Sequence, residues 1–191
     1  MKNLILALFA LMCLAQWFVP GKMISDQEDT RQNGTVYKFK TQPIDPTDPF
    51  RGSYITLRFE AASVQVDDYK EWSNGEEVFA VLKNDSTNFA VIESISKTVP
   101  EGHDYIKTRI DYVSEYAPYT VRLTLPFERF YLEESKAPKA EDYYRQAQQD
   151  NSRDAFALVS VKNGHAALQD VMIDDRSIVE IVREANANQP Q

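Results

Sequence analysis

Carboxylates are the most abundant chemically capable groups in this 191-residue chain. Those at Asp45, Asp48, Glu133 and Glu134 could hold a hard cation such as calcium if the fold brought them together, because such ions take several oxygen ligands. The Asp-x-Asp-x-Asp-Gly ladder of a calcium loop is absent, so the plainer reading is a solvated acidic surface with Asx-turns at Asp45 and Asp48. A glycosidase-like carboxylate pair is defined by separation in space, which spacing along the chain does not give. Histidine is scarcer still. His103 and His165 are the only imidazoles; each sits beside a glycine in a turn-like context, and neither has a metal-type cluster or triad partner nearby in sequence. Six glycines, with no G-x-G-x-x-G and no G-x-x-x-x-G-K-S/T, leave no phosphate-cradling loop. The expectation is a non-enzyme with no cofactor and no metal.

Two segments stand out among the elements that must position side chains. The first is Gln42 to Phe59, QPIDPTDPFRGSYITLRF, in which Pro43, Pro46 and Pro49 each fix φ near −65° and push the preceding residue toward extended geometry. This stiff lead-in runs through Arg51 and the permissive Gly52 into a strand pattern, with Ile55, Leu57 and Phe59 alternating against Tyr54, Thr56 and Arg58. The second is ERFYLEE, Glu128 to Glu134, where an extended chain sends Glu128, Phe130, Leu132 and Glu134 one way and Arg129, Tyr131 and Glu133 the other. A charge on the core side needs a partner, so Arg51 or Arg129 is expected to meet Glu128 or Glu133 in a partly buried ion pair. Tyr54 and Tyr131 fall opposite the core positions. They suit either packing or an exposed aromatic contact surface; with ten tyrosines and ten phenylalanines present, packing is the default.

The first segment resembles the signature of the GDYXXLXY family of bacterial membrane-anchored proteins: Gly52, Tyr54 and Leu57 match outright. Ser53 stands where the family has Asp, and Phe59 where it has a second Tyr. A serine can replace a carboxylate's hydrogen bonding in part, but not its charge. The resemblance extends to the apolar N-terminus, the Pro-Asp lead-in from Pro43 and the ERFYLEE block, and so covers most of the chain. It implies an envelope protein that accompanies a polytopic membrane partner, and it implies no particular reaction. A looser likeness to Ser-Lys signal peptidases lies in P-T-D-P-F-R-G-S and the later D-Y-I-K. Pro43 occupies the nucleophile position there, so the mechanism lacks its hydroxyl and Lys107 reads as a surface strand lysine.

Composition supports one well-cored domain behind a leader: 43% of residues are hydrophobic and 12% aromatic. After Lys2, an uninterrupted apolar run extends from Leu4 to Val19, and Pro20, Gly21, Met23 and Ile24 extend it to roughly the 20 residues that span a bilayer core. As a cleaved signal it offers only Cys13-Leu14-Ala15 before bulky Gln16, Trp17 and Phe18, and Cys13 lacks the small preceding residue of a lipoprotein. A retained anchor is the better reading, with the N-terminus inside and the body on the periplasmic side. All 29 acidic residues lie beyond this run, along with all but two of the 21 basic ones. So acidic a body is a poor partner for nucleic acid or anionic lipid. The one cysteine, Cys13, leaves the body no disulfide.

Period-two patterning dominates from Gly34 onward. Strands are expected at 36–39, 55–59, 62–66, 78–82, 89–95, 104–113, 119–125, 155–162 and 166–173, with the last two joined by Asn163-Gly164, a pair suited to a tight hairpin. A helix with a thin apolar face is expected over 138–150, and 174–182 reads as a further strand or a helical turn. The expected organisation is a signal anchor over 1–24, an extracytoplasmic body over 25–185 and a flexible tail over 186–191. The expected fold class is mainly β with one or two helices, a compact antiparallel sandwich or barrel-like domain behind a transmembrane helix. The leading functional expectation is an accessory or interaction protein for an integral membrane partner. Its alternatives are a periplasmic small-ligand-binding module, with a pocket between Asp45–Arg51 and Glu128–Glu134, and an enzyme of unrecognised type.

Overall fold

Only Pro20 and Gly21 in the stretch Leu4 to Ile24 strongly oppose a helix, and the polar residues that follow support one through side chains four apart: Lys22 to Asp26 at 2.7 Å and Asn33 to Asp29 at 2.9 Å. In the computed structural model, which describes residues 2–42, 54–133, 136–149 and 153–187, helix α1 therefore runs unbroken over Lys2–Asn33. It passes well beyond residue 24. Leu4, Ile5, Leu6, Leu8, Phe9, Leu11, Leu14 and Trp17 of its first half are all exposed, and it is long and apolar enough to cross a membrane. The proline-rich lead-in with Asp45, Asp48, Arg51, Gly52 and Ser53 lies outside the described residues, as do Glu134 and the tail from 188 onward.

The last turn of α1 is fastened to the body. Thr30 is buried, and the Arg31 carbonyl, an orphan acceptor at the helix end, receives Ser160 Oγ at 3.2 Å and Gln169 Nε2 at 2.9 Å. Gly34 closes the helix by donating its N–H to the Thr30 carbonyl at 3.0 Å. A Cβ at this position would collide with the same oxygen and lie 2.9 Å from the Val161 carbonyl, so the chain passes here only as glycine.

Among the described residues, eleven strands follow in three antiparallel sheets. The first sheet has the order β1 (Thr35–Lys40), β9 (Ala155–Lys162), β10 (His165–Ile173) and β11 (Arg176–Ser177). Its β9–β10 hairpin turns through Asn163 and Gly164 at φ 50° and 83°, as the Asn-Gly pair predicts. The second sheet has the order β3 (Ser63–Gln65), β7 (Thr120–Thr124), β6 (Tyr105–Val113), β4 (Glu77–Asn84) and β5 (Ala90–Ser96). Its two edges, β3 and β5, contact each other, so it curls into a nearly closed barrel that leaves little free edge. The third is a ribbon of β2 (Tyr54–Thr56) and β8 (Arg129–Tyr131).

One hydrophobic core serves all three sheets. Phe39 of β1, Phe59 and Phe127 form a triangle with ring centroids 5.8, 5.0 and 5.1 Å apart, next to the fully buried Leu57. Helix α2 (Ala137–Gln149) covers one side with Ala140, Tyr144 and Ala147, the thin stripe its sequence allows. The segment expected as a strand or helical turn after 174 holds the two-residue β11 and then a full helix, α3 (Ile178–Ala187), which buries Ile178 and Val182. Its start carries Ser177 and, three residues on, Glu180; Ser177 Oγ accepts the Val179 N–H at 3.2 Å.

Tyr37 ties the first sheet to the second by donating its hydroxyl to Asp104 Oδ2 at 2.8 Å. Burial, reinforced by that carboxylate, pushes the phenol up to about 12. Tyr37→Phe should therefore cost about 1.5–3 kcal/mol in urea unfolding, the range for a hydrogen bond to a charged group. Because the phenol is raised, this contribution is fully present below the ordinary tyrosine value of 10.0 and disappears as pH rises through about 12. A wild-type-minus-variant difference that is absent at neutral pH would contradict this role for Tyr37.

Candidate functional site

The signature strand changes partners along its length. Tyr54, Ile55 and Thr56 pair with Tyr131, Phe130 and Arg129 of β8, and the ladder continues as Leu57 N–H donates to the Glu128 carbonyl at 2.8 Å. The next residues turn to the first sheet: Gln42 N–H donates to the Arg58 carbonyl at 2.8 Å, and Phe59 bridges Thr41. The strand expected over 55–59 is thus regular only to Thr56, because its second half serves a different sheet.

Alternation divides the strand into two faces. Ile55, Leu57 and Phe59 are buried, while Tyr54, Thr56 and Arg58 face outward with partial or full exposure. Phe59, in the place of a tyrosine, lies inside the aromatic triangle, where no hydroxyl partner is required. The two expected blocks, strand and ERFYLEE, are therefore direct neighbours. On their outer side the rings of Tyr54 and Tyr131 meet at 5.6 Å, and the Arg129 guanidinium stands 5.1 Å over the Tyr54 ring. Tyr131 is 66% exposed, so packing, the default for these tyrosines, describes Tyr54 in part and Tyr131 hardly at all. The Tyr131 phenol, and then Tyr54, favour the charged state of Arg129.

The expected ion pair of Arg129 with Glu128 or Glu133 does not form among the described residues. Arg129 is drawn to the aromatic rings, Glu133 pairs locally with Lys136 at 2.8 Å, and Glu128 accepts the Leu125 N–H at 3.1 Å through Oε1. Glu128 and Arg129 point to opposite faces, and a backbone amide satisfies the core-side carboxylate more directly than a long side chain from the other face. Burial pushes the Glu128 carboxyl up, the Leu125 amide opposes that, Asp111 adds to it, and Arg58 and Arg129 pull it back.

Beside the ribbon lies a cleft of about 470 Å³, lined on one wall by Thr56, Arg58 and Glu128 and on the other by Asp111, Arg122 and Thr124. Among the described residues, neither Arg58 nor Arg122 makes an ion pair, so two guanidinium and two carboxylate groups surround the space without neutralising one another directly. Asp111 lines this cleft from the exposed face it shares with Lys107 and Arg109. It is the extra residue where the β6–β7 register slips between Ile110 and Tyr112, and the slip turns Tyr112, the next inward position of the alternation, outward to 49% exposure. An apparent break in pairing geometry leaves no mark in residue type, so the sequence carries no signal for it.

The other sequence candidates lie apart from this region. His103 and His165 are both exposed, His103 in a bend and His165 as the first residue of β10. Lys107 forms an ion pair with Glu77 at 3.3 Å. Among the described residues there is no group of three His, Cys, Asp or Glu side chains able to hold a metal ion. No curated protein and no solved structure matches this chain. The family model described as GDYXXLXY protein does match, over residues 16–171, which spans the second half of α1, the signature strand, the ERFYLEE block and the first sheet nearly to the end of β10. On that match, and with Tyr54 and Leu57 placed on opposite faces of one paired strand, the chain belongs to the GDYXXLXY family.

Proposed function

We propose that this protein is a single-pass, membrane-anchored accessory protein whose body lies on the extracytoplasmic side and binds an integral membrane partner through the outer face of the β2–β8 ribbon. One observation carries the reading: Tyr54, Arg129 and Tyr131 form a contiguous, solvent-facing aromatic and guanidinium group on two strands that the core otherwise holds rigid. Tyrosine and arginine are the residue types that most often dominate protein interfaces, since each offers a large contact area with a polar handle. The apolar first half of α1 supports the tether, and the scarcity of charge before Ser25 supports the direction of insertion only through Lys2.

A second reading rests on the cleft. Its facing guanidinium and carboxylate groups suit a small zwitterion, such as a free amino acid or a short peptide, whose two ends would each find an opposite charge.

Co-purification from membranes tests the first reading. Tyr54→Ala and Arg129→Ala should each lower recovery of the partner at least about fivefold, which corresponds to ~1 kcal/mol, while the exposed control Lys83→Ala leaves it unchanged. Equal recovery with all three, given unaltered circular dichroism, would remove the ribbon as the contact. For the cleft, thermal shift against free amino acids and dipeptides should show stabilisation that Arg58→Ala abolishes; no shift with any of them at millimolar concentration rejects the zwitterion site. Glu128→Gln should raise the unfolding temperature at neutral pH, since glutamine keeps an oxygen for the Leu125 amide and carries no charge into the buried position. As the folded carboxyl is raised above its ordinary 4.5, the wild-type penalty is absent below that value and grows as pH rises through the raised one. A variant advantage that persists undiminished at lower pH would show that charge is not its cause.

A further inference from the structure

We propose that the body stands on the bilayer surface with its β9–β10 turn, held there by α1 as a rigid post, so that the signature strand is carried at the opposite end, away from the membrane. The inference rests on the reading of α1 as a membrane anchor and adds where the body sits relative to it. The attachments of α1 fall late and close together. Asp29 receives both hydrogen bonds of Lys162 Nζ at 2.9 and 2.8 Å, Thr30 is buried, and the Arg31 carbonyl is held by Ser160 and Gln169. Gln169 sits at the extra position where β10 slips register between Leu168 and Asp170, and it also donates to Ser160 Oγ at 2.6 Å. No loop separates helix from body at which the body could pivot: α1 ends at Asn33 and β1 begins at Thr35, joined by the one glycine that fits.

Going back along α1 from these contacts, Gln27 lies across a crevice of about 320 Å³ from Asn163, Gly164 and His165, so the helix leaves the body at the hairpin-turn end. Ile24 is the last residue of the apolar stretch, and Gln27 is three residues further, about 4.5 Å at ~1.5 Å per residue. The headgroup layer on each side of a bilayer core is about 5–7 Å deep. The turn end is thus within the headgroup layer if α1 is seated by its apolar length. That end has the chemistry such a layer favours. Phe79 and Tyr105 form an edge-to-face pair with centroids 5.6 Å apart, and Lys107 and Lys162 add positive groups to a body that is otherwise acidic. Glu77 and Asp29 face those two lysines, so the local charge is close to balanced, which suits a zwitterionic headgroup surface better than a strongly anionic one. At the other end, Ile173 pairs with Ala155, the Thr41 N–H donates to the Ala155 carbonyl, and Thr41 bridges Phe59 of the signature strand. The two ends of β10 are about 27 Å apart at ~3.4 Å per residue.

Headgroup-proximity quenching decides the matter. The full chain, carrying Cys13→Ser and a fluorophore on either His165→Cys or Arg176→Cys, is placed in phosphatidylcholine vesicles containing a nitroxide on the lipid headgroup. The label at 165 should be quenched several-fold more than the label at 176. Four alanines inserted between Ser25 and Asp26 should lift the body by about 6 Å and reduce the quenching at 165. Chain that fails to float with the vesicles would overturn the anchor and this placement together. Floated chain with equal quenching at the two sites, or with more at 176, would overturn the placement alone.

Discussion

The packing of Phe39, Phe59 and Phe127 into one triangle is the constraint on which the rest of the fold depends, because each ring comes from a different structural unit. Phe39 belongs to the sheet that receives α1, Phe59 to the signature strand, and Phe127 to the connection between the barrel-like sheet and the ribbon. Each unit alone would leave a large aromatic surface in water; together they bury it. The strand of Phe59 can serve this junction only by dividing its backbone pairing, with Tyr54 to Leu57 on the ribbon and Arg58 and Phe59 on the first sheet. A side-chain constraint therefore dictates the partner change in the backbone.

That division explains why one short motif carries both structure and display. Leu57 and Phe59 are inward and buried, while two-residue periodicity sends Tyr54 and its cross-strand neighbour Tyr131 outward at a fixed distance from each other. The geometry of the outer pair is inherited from the inner one, so the exposed rings need little further organisation. Arg129 adds to this economy: it lies over a ring that is already placed, instead of searching for a carboxylate on the far side of the strand.

Much of this was legible in residue order, and the parts that were not share a cause. Strands with one wet face, the Asn163-Gly164 turn and α2 follow from local periodicity and turn chemistry, and they appear where those signals lie. The apolar leader was equally clear up to Ile24. Its continuation to Asn33 has local support in side chains four apart, but its fastening to the body comes from long-range contacts with Ser160, Lys162 and Gln169. Helix α3 was available in the Ser177 to Glu180 capping spacing but competed with a short β-like run of Ile178, Val179, Ile181 and Val182, and helix periodicity decided between them by burying 178 and 182. The failed ion pair has a different origin: opposite charges at adjacent strand positions face apart, and proximity along the chain works against their meeting.

Two of the three register slips among the described residues lie beside the cleft and the helix end. Asp111 and Gln169 each occupy the extra position of one of them. Asp111 faces the charged cleft beside the signature strand, and Gln169 caps the C-terminal end of α1. Regular ladder positions reach both places as well: Arg122 and Thr124 line the cleft, and Ser160 donates to the Arg31 carbonyl. The slips add one further polar group beside each, and the stiffness of the surrounding ladder confines the break in pairing to a single residue.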